Sequence, residues 1–62
     1  MNEFKEMLIY VVDNDHYNVK LIEILLKEAG FDVVDTFLSA AEMLEAIENK
    51  IPDIILSDIM MP

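Results

Sequence analysis

The chain has 62 residues, 55% of them hydrophobic, with 13 acidic and 4 basic side chains and a formal net charge of −9. Cysteine is absent, which excludes disulfides and thiolate metal sites, and so high an apolar content excludes a disordered chain. The acidic field repels phosphate backbones, so no direct nucleic-acid partner is expected. No apolar run approaches the roughly 20 residues needed to span a bilayer. The opening MNEFKEM lacks the layout of a secretory leader, so the expected location is the cytoplasm with no membrane partner.

Leu8-Ile9-Tyr10-Val11-Val12 is a continuous apolar run rich in β-branched and aromatic residues. It predicts a strand buried on both faces, as in a parallel sheet. Asp13-Asn14-Asp15 stops it with residues that favour turns and helix caps. From His16 to Ala29 the period becomes helical. Asn18, Leu21, Ile22, Leu25, Leu26 and Ala29 fall on one predicted core face, with Lys20, Glu23, Lys27 and Glu28 mostly off it. Gly30 stands where a helix end wants a left-handed residue. Phe31 to Phe37, built around Val33 and Val34, predicts a second strand.

Ser39-Ala40-Ala41-Glu42 predicts a capping box opening a second helix. Its apolar face is Ala40, Met43, Leu44 and Ile47, with Glu42, Glu45 and Glu48 largely off it. Pro52 closes the segment. Asp53-Ile54-Ile55-Leu56-Ser57 predicts a third strand, ending at Asp58 and followed by Ile59-Met60-Met61-Pro62. Strand, helix, strand, helix, strand implies an α/β layer with a parallel sheet and right-handed crossovers.

Acids stand at two strand ends: Asp13 and Asp15 after the first, Asp58 after the third. Open parallel sheets bind ligands outside the carboxyl ends of their strands. If the first and third strands are neighbours, these carboxylates converge, and like charges so close call for a divalent cation. Oxygen ligands with water completing the shell suit Mg²⁺. A carboxylate beside that ion can attack a phosphoryl group. Blander roles compete: Asp13 or Asp15 can cap the first helix, and Asp58 can be a turn residue before Pro62. His16 reads as an exposed first-turn residue rather than a phosphodonor or ligand. Met43 reads as core, and Met60 and Met61 as loop or interface.

Val11-Val12-Asp13-Asn14-Asp15 resembles the first acidic motif of response-regulator receiver domains, and Leu56-Ser57-Asp58-Ile59-Met60-Met61-Pro62 is similar to their phosphorylation motif almost residue for residue. Asn18, Leu21, Gly30 and Pro52-Asp53 also stand where receivers commonly carry such residues. The resemblance implies a flavodoxin-like (CheY-like) fold, two-component phosphorelay signalling, and no enzyme activity of the chain's own. It implies Asp58 as phosphoacceptor, Asp13 holding metal-bound water, and the Met60 backbone carbonyl on Mg²⁺. Asn14 falls where the family usually supplies a carboxylate directly to the metal, which implies weaker Mg²⁺ binding. Asp15 is the substitute ligand if the register shifts. The implied partner is a histidine kinase or phosphotransfer protein.

Receivers order their strands 2-1-3-4-5. Residues 1–62 match the N-terminal half alone, giving order 2-1-3. The hydroxyl residue and lysine that contact the phosphoryl group in the family belong to the other half, so transfer is expected to be impaired. The bare edge of the third strand predicts a homodimer that completes the sheet through that strand. A second reading is an interaction half-domain that self-associates without phosphorylation. A third follows from Asp13-Asn14-Asp15 as the Asp-x-Asp start of a haloacid-dehalogenase-like phosphatase, with Asp13 as nucleophile and Asp15 as acid/base.

Overall fold

A computed structural model describes residues 6–57. The predicted elements all form: β1 (Leu8–Val12), α1 (His16–Glu28), β2 (Val33–Phe37), α2 (Ala40–Ile47) and β3 (Ile54–Ser57). The strands make one parallel sheet in the order β2-β1-β3. This is the first part of the flavodoxin-like arrangement, with β1 at its centre.

All five β1 residues are buried, as their unbroken apolar run requires. Alternation sends them to two half-cores. Leu8, Tyr10 and Val12 meet Met43 of α2, with Val33, Phe37, Ala46 and Ile47 around them. Ile9 and Val11 meet Val34, with Ile22 and Leu26 of α1, Phe31 and Ile54. Tyr10 is fully enclosed, yet its phenol donates a 2.7 Å hydrogen bond to the Lys50 carbonyl. Its ring packs edge-on to Phe37 at 4.9 Å between centroids. The polar tip of a buried tyrosine thus has a partner, as burial demands.

Asp15 caps α1: its carboxylate accepts from the Tyr17 N–H at 2.9 Å. The other end is a Schellman motif. Gly30 adopts φ 109°, Gly30 N–H donates to the Lys27 carbonyl and Phe31 N–H to that of Leu26. Closing this motif takes up Phe31, so β2 starts at Val33, two residues later than the apolar pattern suggests. Phe31 and Leu26 pack in the same half-core, the contact that usually accompanies such a cap.

The face of α1 differs from the sequence expectation. Val19 is buried, and Ile22 and Leu26 pack on the sheet, while Leu21 and Leu25 are more than half exposed and Asn18 and Ala29 also face outward. The physical reason is a helix apolar on more than one side. His16, Lys20, Glu23 and Lys27 make a narrow polar stripe, tied together by Lys20–Glu23 and Lys27–Glu23 ion pairs of 3.5 and 3.4 Å. Apolar residues fill most of the remaining circumference, so periodicity alone does not fix the buried side.

Ser39 caps α2 by accepting from Glu42 N–H at 3.2 Å. The return bond of Glu42 goes to Leu38 N–H, one residue before the N-cap position that the capping box predicts. Met43, Ala46 and Ile47 form the inner face, and Leu44 is 59% exposed.

Asp53 precedes β3 rather than beginning it. Its N–H donates to the Leu8 carbonyl at 2.8 Å and its carboxylate accepts from Leu8 N–H at 2.8 Å. This two-way clamp sets the register, with Ile9 beside Ile54 and Val12 beside Ser57. Ile55 and Leu56 remain 43% and 40% exposed. Among the described residues no strand pairs with the outer edge of β3, and no helix is long and apolar enough to cross a membrane.

Candidate functional site

Parallel strands put their carboxyl ends on one rim. Val12 and Ser57 are register partners at the ends of β1 and β3, and in sequence Asp13 follows the one as Asp58 follows the other. Asp58 and Met60 lie outside the described residues.

Asp13 is the sole buried charged residue among those described, at 5% exposure. Its N–H continues the sheet by donating to the Phe37 carbonyl at 3.2 Å. Its Oδ1 accepts from Asp15 N–H at 2.9 Å, which folds residues 13–15 into an Asx turn. Asp15 then spends its own Oδ1 on Tyr17 N–H, and its carbonyl accepts from Val19 N–H. Asn14 sits exposed between them. His16 is exposed in the first turn of α1 and stacks edge-on to Tyr17 at 6.1 Å.

A cleft of about 280 Å³ opens beside Asp13, lined by Val12, Asn18, Ile22, Leu56 and Ser57. Asn18, expected on the core face, thus stands at the site. Its exposed amide was not separable from the apolar stripe by spacing. A larger hollow of about 590 Å³ lies over the end of β2, between α1 and α2. It does not include Asp13 or Asn14 and gathers Glu42 and Glu23, which are already occupied by the Leu38 N–H and by lysines. The smaller cleft is the one placed for chemistry at the strand ends.

The donors suit a hard cation in kind. Asp13 offers carboxylate oxygen and Asn14 amide oxygen, both compatible with Mg²⁺. They are too few to hold it alone: among the described residues no group of three or more His, Cys, Asp or Glu side chains is arranged to bind a metal ion.

The family profile described as "Response regulator receiver domain" matches residues 9–62. The DNA-binding transcriptional regulator NtrC of Escherichia coli K12 is 44% identical over 55 residues, covering 89% of this chain and 12% of that protein. A protein-glutamate methylesterase/protein-glutamine glutaminase of Halobacterium salinarum is 38% identical over 52 residues, covering 84% of this chain and 15% of that protein. The alkaline phosphatase synthesis transcriptional regulatory protein PhoP of Bacillus subtilis is 37% identical over 54 residues, covering 87% and 22%. The chain therefore spans less than a quarter of the length of these relatives. No solved structure matches it significantly. Receiver domains generally bind Mg²⁺ at their phosphorylation site and interact with histidine kinases or phosphotransfer proteins. The β2-β1-β3 parallel sheet, with Asp13 closing β1, and a profile match over nearly the whole chain agree: the chain belongs to the response regulator receiver domain family, which serves two-component phosphorelay signalling.

Proposed function

We propose that Asp58 accepts a phosphoryl group from a phosphohistidine of a kinase or phosphotransfer partner. One observation carries the reading: Val12 pairs with Ser57, and an acid follows each in sequence. A carboxylate oxygen of Asp58 attacks phosphorus, the P–N bond breaks, and the imidazole nitrogen leaves with the electron pair and takes a proton from solvent. Asp13, held by Asp15 N–H, Asn14 and the Met60 carbonyl are the oxygens that would hold a cation beside Asp58. A Mg²⁺ ion bound there supplies neutralisation of the phosphoryl oxygens. The chain acts as substrate of its partner and is not itself an enzyme.

The partner meets α1. Tyr17, Leu21, Ile24 and Leu25 are 83%, 55%, 47% and 54% exposed, and they run from the acid rim along the helix. An apolar stripe of this kind fits the face of a partner helix. A second reading, self-association of the 62-residue chain as a homodimer through β3, is favoured by the half-exposed Ile55 and Leu56 on its outer edge.

Treating the chain with a small phosphodonor and Mg²⁺ and measuring the intact mass tests the proposal. The expected result is a partial adduct of one phosphoryl group that disappears in Asp58→Ala. A folded protein that never gains mass supports the second reading. An adduct on Asp13 overturns the phosphoacceptor assignment in favour of phosphatase-like chemistry.

A further inference from the structure

β2 is paired on one side only. In a parallel strand, successive residues turn their N–H and carbonyl to opposite sides. Phe37 turns its carbonyl to Asp13 N–H at the end of β1. Val33, Asp35 and Phe37 therefore face β1, and Val34, Thr36 and Leu38 face outward. Among the described residues no strand pairs with that outer side. Leu38 N–H is closed off by the Glu42 carboxylate at 3.2 Å. The open stretch is the main chain of Val34 and Thr36.

α1 and α2 pack on opposite faces of the sheet. A hollow of about 590 Å³ that both helices line thus straddles the β2 edge. Val19, Phe37, Leu38 and Ala46 give it apolar walls, a seat for the side chains of an added strand. Charge decides which strand. Glu23, Glu42 and Glu45 line the hollow against Lys20 and His16. Glu23 already pairs with Lys20 and Lys27, and Glu42 holds Leu38 N–H. Glu45, exposed on α2, has neither hydrogen bond nor ion pair among the described residues. Exposed Asp35 adds a further acid on β2 itself.

A charge on an edge strand repels strands of its own sign. A second copy would bring a net charge of −9 to this edge, whereas a basic segment is drawn to it. We propose that the outer edge of β2 is a docking site for an extended, lysine- or arginine-rich segment of a partner protein, added to the sheet as a further strand. Main-chain hydrogen bonds to Val34 and Thr36 supply affinity, and the hollow with Glu45 supplies side-chain preference. This edge lies across β1 from β3, so neither Asp58 nor self-association through β3 bears on it.

The test uses the whole chain and two synthetic peptides of strand length, one alternating Lys with Val and one alternating Glu with Val, both blocked at their ends. Backbone amide resonances report where each binds. The lysine peptide is expected to shift Thr36 N–H and slow its exchange with solvent, and the glutamate peptide to leave it unmoved. Thr36→Pro removes an outward donor and no bond to β1, a position where an edge strand tolerates proline; it should weaken binding by about tenfold. Glu45→Lys changes an exposed helix position, should weaken binding by about threefold or more, and decides the matter if the proline is not tolerated. Asp53 N–H faces β1, so Leu56 stands on the open side of β3; Leu56→Pro should bind the lysine peptide as wild type does. A lysine peptide that does not bind, or a glutamate peptide that binds equally well, overturns the proposal. So does binding that survives both Thr36→Pro and Glu45→Lys, or that is lost in Leu56→Pro alone. Thr36 shifts that grow with chain concentration in the absence of peptide would assign the edge to a second copy, and overturn it as well.

Discussion

Removing the Asp53 carboxylate tests how the acid rim is held in register from the far end of the sheet. Asp53 accepts from Leu8 N–H at 2.8 Å and returns a bond from its own N–H to the Leu8 carbonyl. Leu8 is 4% exposed, so Asp53→Ala leaves a backbone donor with restricted access to water. A hydrogen bond to a charged group contributes about 1.5–3 kcal/mol. Asp53 is itself exposed, which argues for the low end, about 1.5 kcal/mol. For a domain of this size each kcal/mol lowers Tm by about 4–8 °C. Thermal and urea unfolding by circular dichroism give both figures. Asp53→Asn keeps an acceptor oxygen and should recover more than half of the loss. Equal stability of Asp53→Ala and wild type would refute the clamp, and equal losses in the Ala and Asn variants would show that charge, not the hydrogen bond, is what matters.

Gly30→Ala places a Cβ at φ 109° and should cost about 1 kcal/mol or more, read by the same unfolding curves. Leu21→Glu on the outer stripe of α1 should slow phosphoryl transfer from a partner kinase at least tenfold while leaving modification by a small phosphodonor unchanged, measured by intact mass over time. On the self-association reading, wild type should sediment as a dimer at micromolar concentration and Leu56→Lys on the β3 edge as a monomer; a monomeric wild type, or an undiminished mass in the variant, would refute it.

Element order was legible because each segment has its own physical signature. Leu8–Val12 is too short and too uniformly apolar to be anything but a strand with helices on both faces, and β1 proved buried at every position. Sheet order was legible through the family resemblance, not through periodicity. The inner face of α1 was not legible. Leu21 and Leu25 satisfy helical spacing as well as Ile22 and Leu26 do, and only the three-dimensional path of the chain decides that Val19 goes inside. The start of β2 was missed for a local reason: Gly30 and Phe31 serve the helix end before the strand can begin.

The acid rim divides in the same way. That Asp13 closes a buried strand follows from sequence alone, and its 5% exposure agrees. Which acid beside it faces a cation does not follow, because Asp is equally suited to a metal and to a helix N-cap. Both roles need a carboxylate with free oxygens at the same place in the chain. In the structure the Asp15 carboxylate takes the capping role, accepting from Tyr17 N–H, and losing that cap would cost about 1 kcal/mol. Asn14 has no such commitment among the recorded hydrogen bonds of the described residues. Under the proposed site, Asn14 would present a neutral oxygen where a carboxylate would present a charge. On that proposal Asn14→Asp should bind Mg²⁺ more tightly than wild type, read by titration of the chain with the ion, and equal affinities would refute it.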